Sequence, residues 1–196
     1  MTMERRAVLK GMVASGIVAA CSRLPLGLAT SYAALACAGP SLLLVDDHRE
    51  SADFAAGAAS CLPARSETVS LDHSWRPLTA LVGASRARNM LGLVSDDKGV
   101  VLCELLRSRG ARFVGLGQHI IGRERASHAL MVEDHELNNA LASALAERRW
   151  AARMGELLAG ALLAEAPVAS AATVQRFRTQ VIAHQPLSLT SFAVQL

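Results

Sequence analysis

Aromatic residues are scarce, at 4% of the 196-residue chain. Stacking platforms for single-stranded nucleic acid are built from aromatic faces, so that kind of binding has little to work with. Lysine is scarcer, with Lys10 and Lys98 its two occurrences. The charge excess is only +3, and it is local. Residues 1–39 carry Arg5, Arg6, Lys10 and Arg23 against Glu4, and the remainder balances at sixteen bases and sixteen acids. A body without net positive charge lacks the electrostatic footprint of a nucleic-acid binder. The four cysteines form no CxxC pair for zinc or redox and no CxxCH for haem. GxSxG, HExxH and P-loop motifs are also missing. What is abundant is apolar sequence, 52% of residues, enough for a substantial core and against a disordered chain.

The N-terminus reads Glu4-Arg5-Arg6-Ala7-Val8-Leu9-Lys10, followed by the apolar run from Gly11 to Ala20. A charged stretch ahead of a short apolar run is a targeting segment, and ten apolar residues are too few to span a bilayer. The paired arginines with Leu9 and Lys10 resemble a twin-arginine export signal, with Val8 in place of the usual Phe and Glu4 in place of Ser/Thr. The resemblance covers residues 1–38 and implies a twin-arginine translocase as export partner and a periplasmic or secreted destination. It also implies folding before export. Ala34-Leu35-Ala36 and Ala36-Cys37-Ala38 offer small-x-small cleavage sites. Val18-Ala19-Ala20-Cys21 resembles a lipobox, which would make Cys21 a lipid anchor and the only contact with a membrane.

Beyond the signal segment, residues 39–134 read as an α/β core with a hairpin. Apolar runs at Ser41–Val45, Thr68–Leu71, Met90–Val94 and Arg112–Leu116 are predicted strands. They alternate with helical spacing over Arg49–Leu62, Trp75–Arg88 and Lys98–Arg109. Strands alternating with helices predict a mostly parallel open sheet of four or more strands, with helices on both faces. Gln118–Ile121 and Ser127–Val132 read as hairpin arms around a turn at Gly122–Arg125. Residues 135–196 read as a helical extension packed on the same domain. A long helix is predicted over Glu136–Ala164, with a break near Arg148–Ala152 or at Gly155. A second helix is predicted over Ser170–Ala183 and a final strand over Leu187–Val194.

Candidate chemistry collects at predicted strand ends. Asp46, Asp47, Asp72, Asp96 and Asp97 each follow a strand, where open α/β sheets bind ligands. Converging carboxylates would suit a polar ligand or a hard divalent cation. The competing explanation is local: Asp47 with Glu50 fits a capping box, and Ser95 or Asp96 fits a helix N-cap. Leu43-Leu44-Val45-Asp46-Asp47-His48 resembles the opening of a phospho-receiver domain over those six residues. The resemblance stops there, because Lys98 follows the third strand instead of the fifth.

His119 and His128 are equidistant from Arg123-Glu124, so the hairpin predicts them directly opposed, at about 5 Å between Cβ atoms. Two such imidazoles could clip a transition metal. Glu133, Asp134 or Asp97 would then serve as acceptors behind the rings. Ser95 with Asp96 and His119 would suit a hydrolase. Cys61 and Cys103 could bond in an oxidising compartment, although Cys103 falls among apolar helix residues where cysteine is a small hydrophobe.

Three functions follow as expectations. The first is an exported protein that binds a small ligand or metal in the strand carboxyl-end cleft, as an accessory to a larger system. The second is a periplasmic hydrolase using Ser95, Asp96 and His119. The third is an interaction module, such as a homodimer, docking through helix 136–164.

Overall fold

The computed structural model describes residues 40–63, 66–71, 76–164, 173–180 and 186–196. The segment expected to be an export signal, Cys21 and Asp72 lie outside the described residues.

Short apolar runs become buried strands. β1 (Ser41–Val45) and β3 (Asn89–Ser95) are buried along almost their whole length, which a sheet covered on both faces requires. β2 (Glu67–Ser70) pairs in parallel with β1, and β1 in parallel with β3. Between them run α1 (Arg49–Ala59) and α2 (Arg76–Ala84), and α3 (Asp96–Ser108) follows β3. β4 (Arg112–Ile121) and β5 (Arg125–Val132) form the expected hairpin. α4 (His135–Ala144), α5 (Trp150–Leu163), β6 (Thr173–Gln180) and β7 (Leu187–Gln195) complete the order.

The α/β class is as expected, but the sheet is mixed. Its order is β2-β1-β3-β7-β4-β5-β6. β7 runs antiparallel between β3 and β4, and β4, β5 and β6 alternate in direction. The reason is that the final segment returns to the centre of the sheet, filling the edge that β3 would otherwise expose. The C-terminal part of the chain therefore supplies a central strand. β7 carries Leu189, Phe192, Ala193 and Val194, each 0% exposed.

Two cores result. On one face α1, α4 and α5 bury Phe54, Leu141 and Met154 against Leu43, Leu91, Leu93 and Leu189. On the other, α2 and α3 bury Leu78, Leu102 and Leu106 against Leu42, Leu44, Met90 and Phe192. α1 and α5 approach closely enough to need glycine. A Cβ on Gly57 would run into the Ala152 carbonyl oxygen, and one on Gly155 into that of Phe54.

Three local expectations are corrected. The long helical stretch does break, beside the expected Arg148–Ala152, into two helices separated by residues 145–149. Asp134 caps α4 by accepting from the Glu136 and Leu137 N–H groups. The interruption lets Trp150 turn its ring into the core. The stripe of Leu137, Leu141 and Leu145 is buried against the sheet, so it is core and not a docking surface. Within Ser170–Ala183, the described residues form strand β6, whose Val174, Arg176 and Arg178 face outward while Phe177 packs on the core. Period-two patterning, with β-branched residues, overrode the helical assignment. Finally, the fourth strand and the first hairpin arm are one continuous strand, so Gly117 sits mid-strand, opposite Ser191 and Leu130.

Among the described residues, no helix is long and apolar enough to cross a membrane.

Candidate functional site

The strand-end carboxylates separate into different tasks. Asp46 follows β1 and is buried, as is Lys98 in the first turn of α3. Lys98 Nζ donates to Asp46 Oδ1 at 2.6 Å and to the Leu71 carbonyl oxygen at 3.4 Å. The Ser95 N–H donates to Asp46 Oδ2 at 3.1 Å. Burial alone would raise the Asp46 carboxyl, but the bonds from Lys98, Ser95 and the Asp47 N–H outweigh it and hold it at about 2. This cluster fills the position between β1 and β3 where the connections diverge to opposite sides, the usual ligand crevice of such a sheet. A closed ion pair stands there, joining the ends of three parallel strands. Lys98, misplaced for a receiver domain, is nonetheless the partner of Asp46.

The capping explanation does not account for these residues. His48 is the N-cap of α1 and Ser95 that of α3, and neither side chain makes a capping bond. Asp47 and Asp97 are exposed. Asp96 turns toward β7 and β4, where its Oδ1 accepts from Thr190 Oγ1 at 2.7 Å and its Oδ2 from Gln118 Nε2 at 3.2 Å.

His119 and His128 are opposed across the hairpin, in the expected register. Their Nδ1 atoms are 2.9 Å apart, and both rings are buried. His119 Nε2 lies 2.9 Å from Ser191 Oγ, and His128 Nε2 lies 3.1 Å from Thr179 Oγ1. Four neighbouring strands, β7-β4-β5-β6, each contribute one member to this chain of hydrogen bonds. The Trp150 ring covers it, with centroids 5.0 Å from His119 and 5.5 Å from His128. Gly117 leaves the room: a Cβ there would come within 2.5 Å of Ser191 Oγ and 2.9 Å of His119 Nε2.

Chemistry fixes the protonation pattern of this chain. One Nδ1 must donate and the other accept, so the accepting ring is neutral, and with both rings uncharged their tautomers are coupled. If His119 donates from Nδ1, its Nε2 accepts from Ser191 and His128 donates to Thr179; the alternative reverses all three bonds. Burial pushes both imidazoles below the ordinary histidine value, and His128 adds to the lowering at His119. All four ring nitrogens are engaged, so this geometry offers a metal no free lone pair. The expected acceptors behind the rings are hydroxyls instead of carboxylates. Asp134 is spent as a helix cap, and Glu133 lies 3.4 Å from Arg112. Among the described residues, no group of three or more His, Cys, Asp or Glu converges on a metal position.

Ser95, Asp96 and His119 do not assemble. Ser95 lies opposite Leu189, and Leu189 opposite His119, which places the two residues two strands apart, roughly 10 Å. His119 serves Ser191, which is itself buried beneath the helices.

An open pocket lies on the opposite face. α3 covers β3 and β7 there and reaches Phe113 at the start of β4, and none of the described helices covers β5 and β6 on that face. The resulting pocket of about 270 Å³ is walled by Val100 and Cys103 of α3 and by Leu116, Ala129, Met131 and Val174 of the sheet. Asp96, Gln118 and Thr190 form a polar end, and Glu104 and Arg107 line another part of the wall. Burial pushes the Cys103 thiol up to about 11, so it stays protonated and inert. Cys61 packs in the core on the other face of the sheet, so the two cysteines are not bonded to each other.

Sequence reasoning missed this pocket, because its floor is formed by strands whose order it did not have. It also took S-x-x-K to be missing with the other nucleophile motifs, although Ser95-x-x-Lys98 at the start of α3 has that serine–lysine spacing. Here Lys98 is committed to Asp46.

Comparisons with protein-family models, with curated proteins and with solved structures give no match.

Proposed function

We propose that this is an exported, periplasmic or secreted accessory protein that binds a small organic ligand in the pocket between α3 and β4-β5-β6. The observation that carries the reading is the pocket itself. It combines an apolar wall with a few polar groups at its ends, the usual composition of a small-molecule site. Its volume of about 270 Å³ lies at the small end of such sites. Asp96 makes it a variant of the strand carboxyl-end cleft, displaced one helix away from the crevice that Asp46 and Lys98 close. The engaged nitrogens of His119 and His128 favour an organic ligand over a metal. The separation of Ser95 from His119 favours binding over hydrolysis. Export rests on the Arg5-Arg6 pair and the apolar run behind it.

The test is amide chemical-shift mapping against a library of small amphipathic compounds. Binding should perturb Val100, Cys103, Leu116, Ala129, Met131 and Val174 together. The variant Ala129→Phe, which fills the pocket from its sheet floor, should abolish the response. Perturbations centred on Asp46 or on the α1–α5 face, or unchanged binding in Ala129→Phe, would defeat the proposal.

A further inference from the structure

The exposed face of β4, β5 and β6 has an ordered polarity. Ladder partners on this face form rows across the strands. One row is apolar: Val174 opposite Met131, and Met131 opposite Leu116. The next row runs from Arg176 through Ala129 to Gln118 and Thr190. The third starts with Arg178, opposite Ser127, and ends in Ile120. Val100, Ile120 and Val174 are more than half exposed, at 58%, 53% and 55%.

The charges beside the pocket are not equally available. Arg107 bonds Glu104 at 2.5 Å and stacks over Phe113 at 5.2 Å. The Asp96 carboxylate already accepts from Thr190 and Gln118. Arg176 and Arg178 are exposed and, among the described residues, form no ion pair or hydrogen bond through their side chains. Arg176 is the cross-strand neighbour of the pocket residue Ala129, with Cβ atoms about 5 Å apart. It is also two residues along the same face from Val174, another pocket residue. Asp96 adjoins the far end of that row, about three strand spacings or ~14 Å away. Unpaired positive charge therefore stands at the β6 rim of an apolar slot, with the negative charge at the opposite end.

We infer that the ligand of this pocket is a small amphiphile with an anionic head, a carboxylate or phosphate held by Arg176 and Arg178, and a short apolar body lying along Val174, Met131 and Leu116. The inference rests on the pocket reading above and adds the ligand's charge and orientation. Guanidinium groups suit both heads, because their paired N–H donors match two oxygens at once. The pocket of about 270 Å³ equals the liquid volume of roughly nine waters at ~30 Å³ each, which limits the body to about that many heavy atoms. A medium-length acyl chain or a single substituted ring fits; a long lipid tail does not.

The experiment is calorimetric titration of the whole chain with octanoate, octyl phosphate, octanol and octylammonium. Octanoate or octyl phosphate should bind at least tenfold more tightly than octanol, and octylammonium more weakly still. Arg176→Gln/Arg178→Gln should weaken the anions at least tenfold and leave octanol unchanged, because both side chains lie on the exposed face. Ala129→Phe should remove all binding. Equal affinity for octanoate, octanol and octylammonium would overturn the anionic assignment while leaving the pocket standing. No binding by any probe would overturn both. Co-sedimentation with anionic phospholipid vesicles in the absence of octanoate binding would replace the free amphiphile with a membrane surface. Self-association that is lost in Arg176→Gln/Arg178→Gln or Ala129→Phe would replace it with a second copy of the chain.

Discussion

Acidification from about pH 7.5 to about pH 5 should destabilise the folded protein by about 4 kcal/mol through His119 and His128 alone. Both rings are buried, and the 2.9 Å contact between their Nδ1 atoms survives only if one of those nitrogens lacks a proton. That contact keeps the accepting ring neutral, and burial holds the proton affinity of both imidazoles below the ordinary value of 6.5. The unfolded chain takes up protons near 6.5 and the folded chain does not. Stability is accordingly full above that value and falls as pH drops below it, until the folded pair itself is protonated. Each histidine contributes about 1.4 kcal/mol per pH unit in this window. At about pH 5 that is ~2 kcal/mol per ring, against a total stability of about 5–15 kcal/mol for a domain. Asp46 does not interfere, because a carboxyl held below 3.8 loses its contribution only at lower pH. Urea unfolding at both pH values, for the parent and for His119→Gln/His128→Gln, isolates the effect, since the other histidines are common to both. The parent should lose about 4 kcal/mol more than the variant. His128→Gln alone should recover about half of the difference, and it gives the same reading if the double variant does not fold. Identical pH dependence in parent and variants would refute the argument for a neutral coupled pair.

Other outcomes follow from single features. Gly57→Ala and Gly155→Ala should each cost at least 1–3 kcal/mol, because the added methyl meets backbone oxygen at the α1–α5 crossing; thermal melting would show it. Lys98→Met should cost about 3–5 kcal/mol by stranding the buried Asp46 carboxylate, and Asp46→Leu/Lys98→Met should be markedly more stable than Lys98→Met alone in urea titration. Arg5→Lys/Arg6→Lys should leave the precursor in the cytoplasm, measured by fractionation, if the guanidinium pair and not charge alone directs export. Unchanged export would refute the twin-arginine assignment.

The sequence carried what is local. Short apolar runs defined β1 and β3, since a strand buried on both faces has no polar alternation to hide it. The hairpin register was legible from symmetry alone: with the turn at Gly122–Arg125, His119 had to oppose His128. Asp46 was recognisable as a polar residue at a strand end, though its partner was not. The fate of Ser170–Ala183 was missed because a two-residue period with one core aromatic, Phe177, is weak beside an Ala-rich flank.

Only the tertiary structure decided which polar groups meet. Ser191 reaches His119 because β7 inserts between β3 and β4, a non-local pairing that no spacing in the chain encodes. The same insertion separates Ser95 from His119 by a strand and sets Thr190 against Asp96. It also decides where the pocket opens, since α3 packs over β3 and β7 and, among the described residues, no helix covers β5 and β6 on that face. Strand identity is fixed by side chains a few residues apart, and so it is written locally. Strand order is fixed by which buried faces fit together across nearly a hundred residues, and a chain met as sequence does not display that fit.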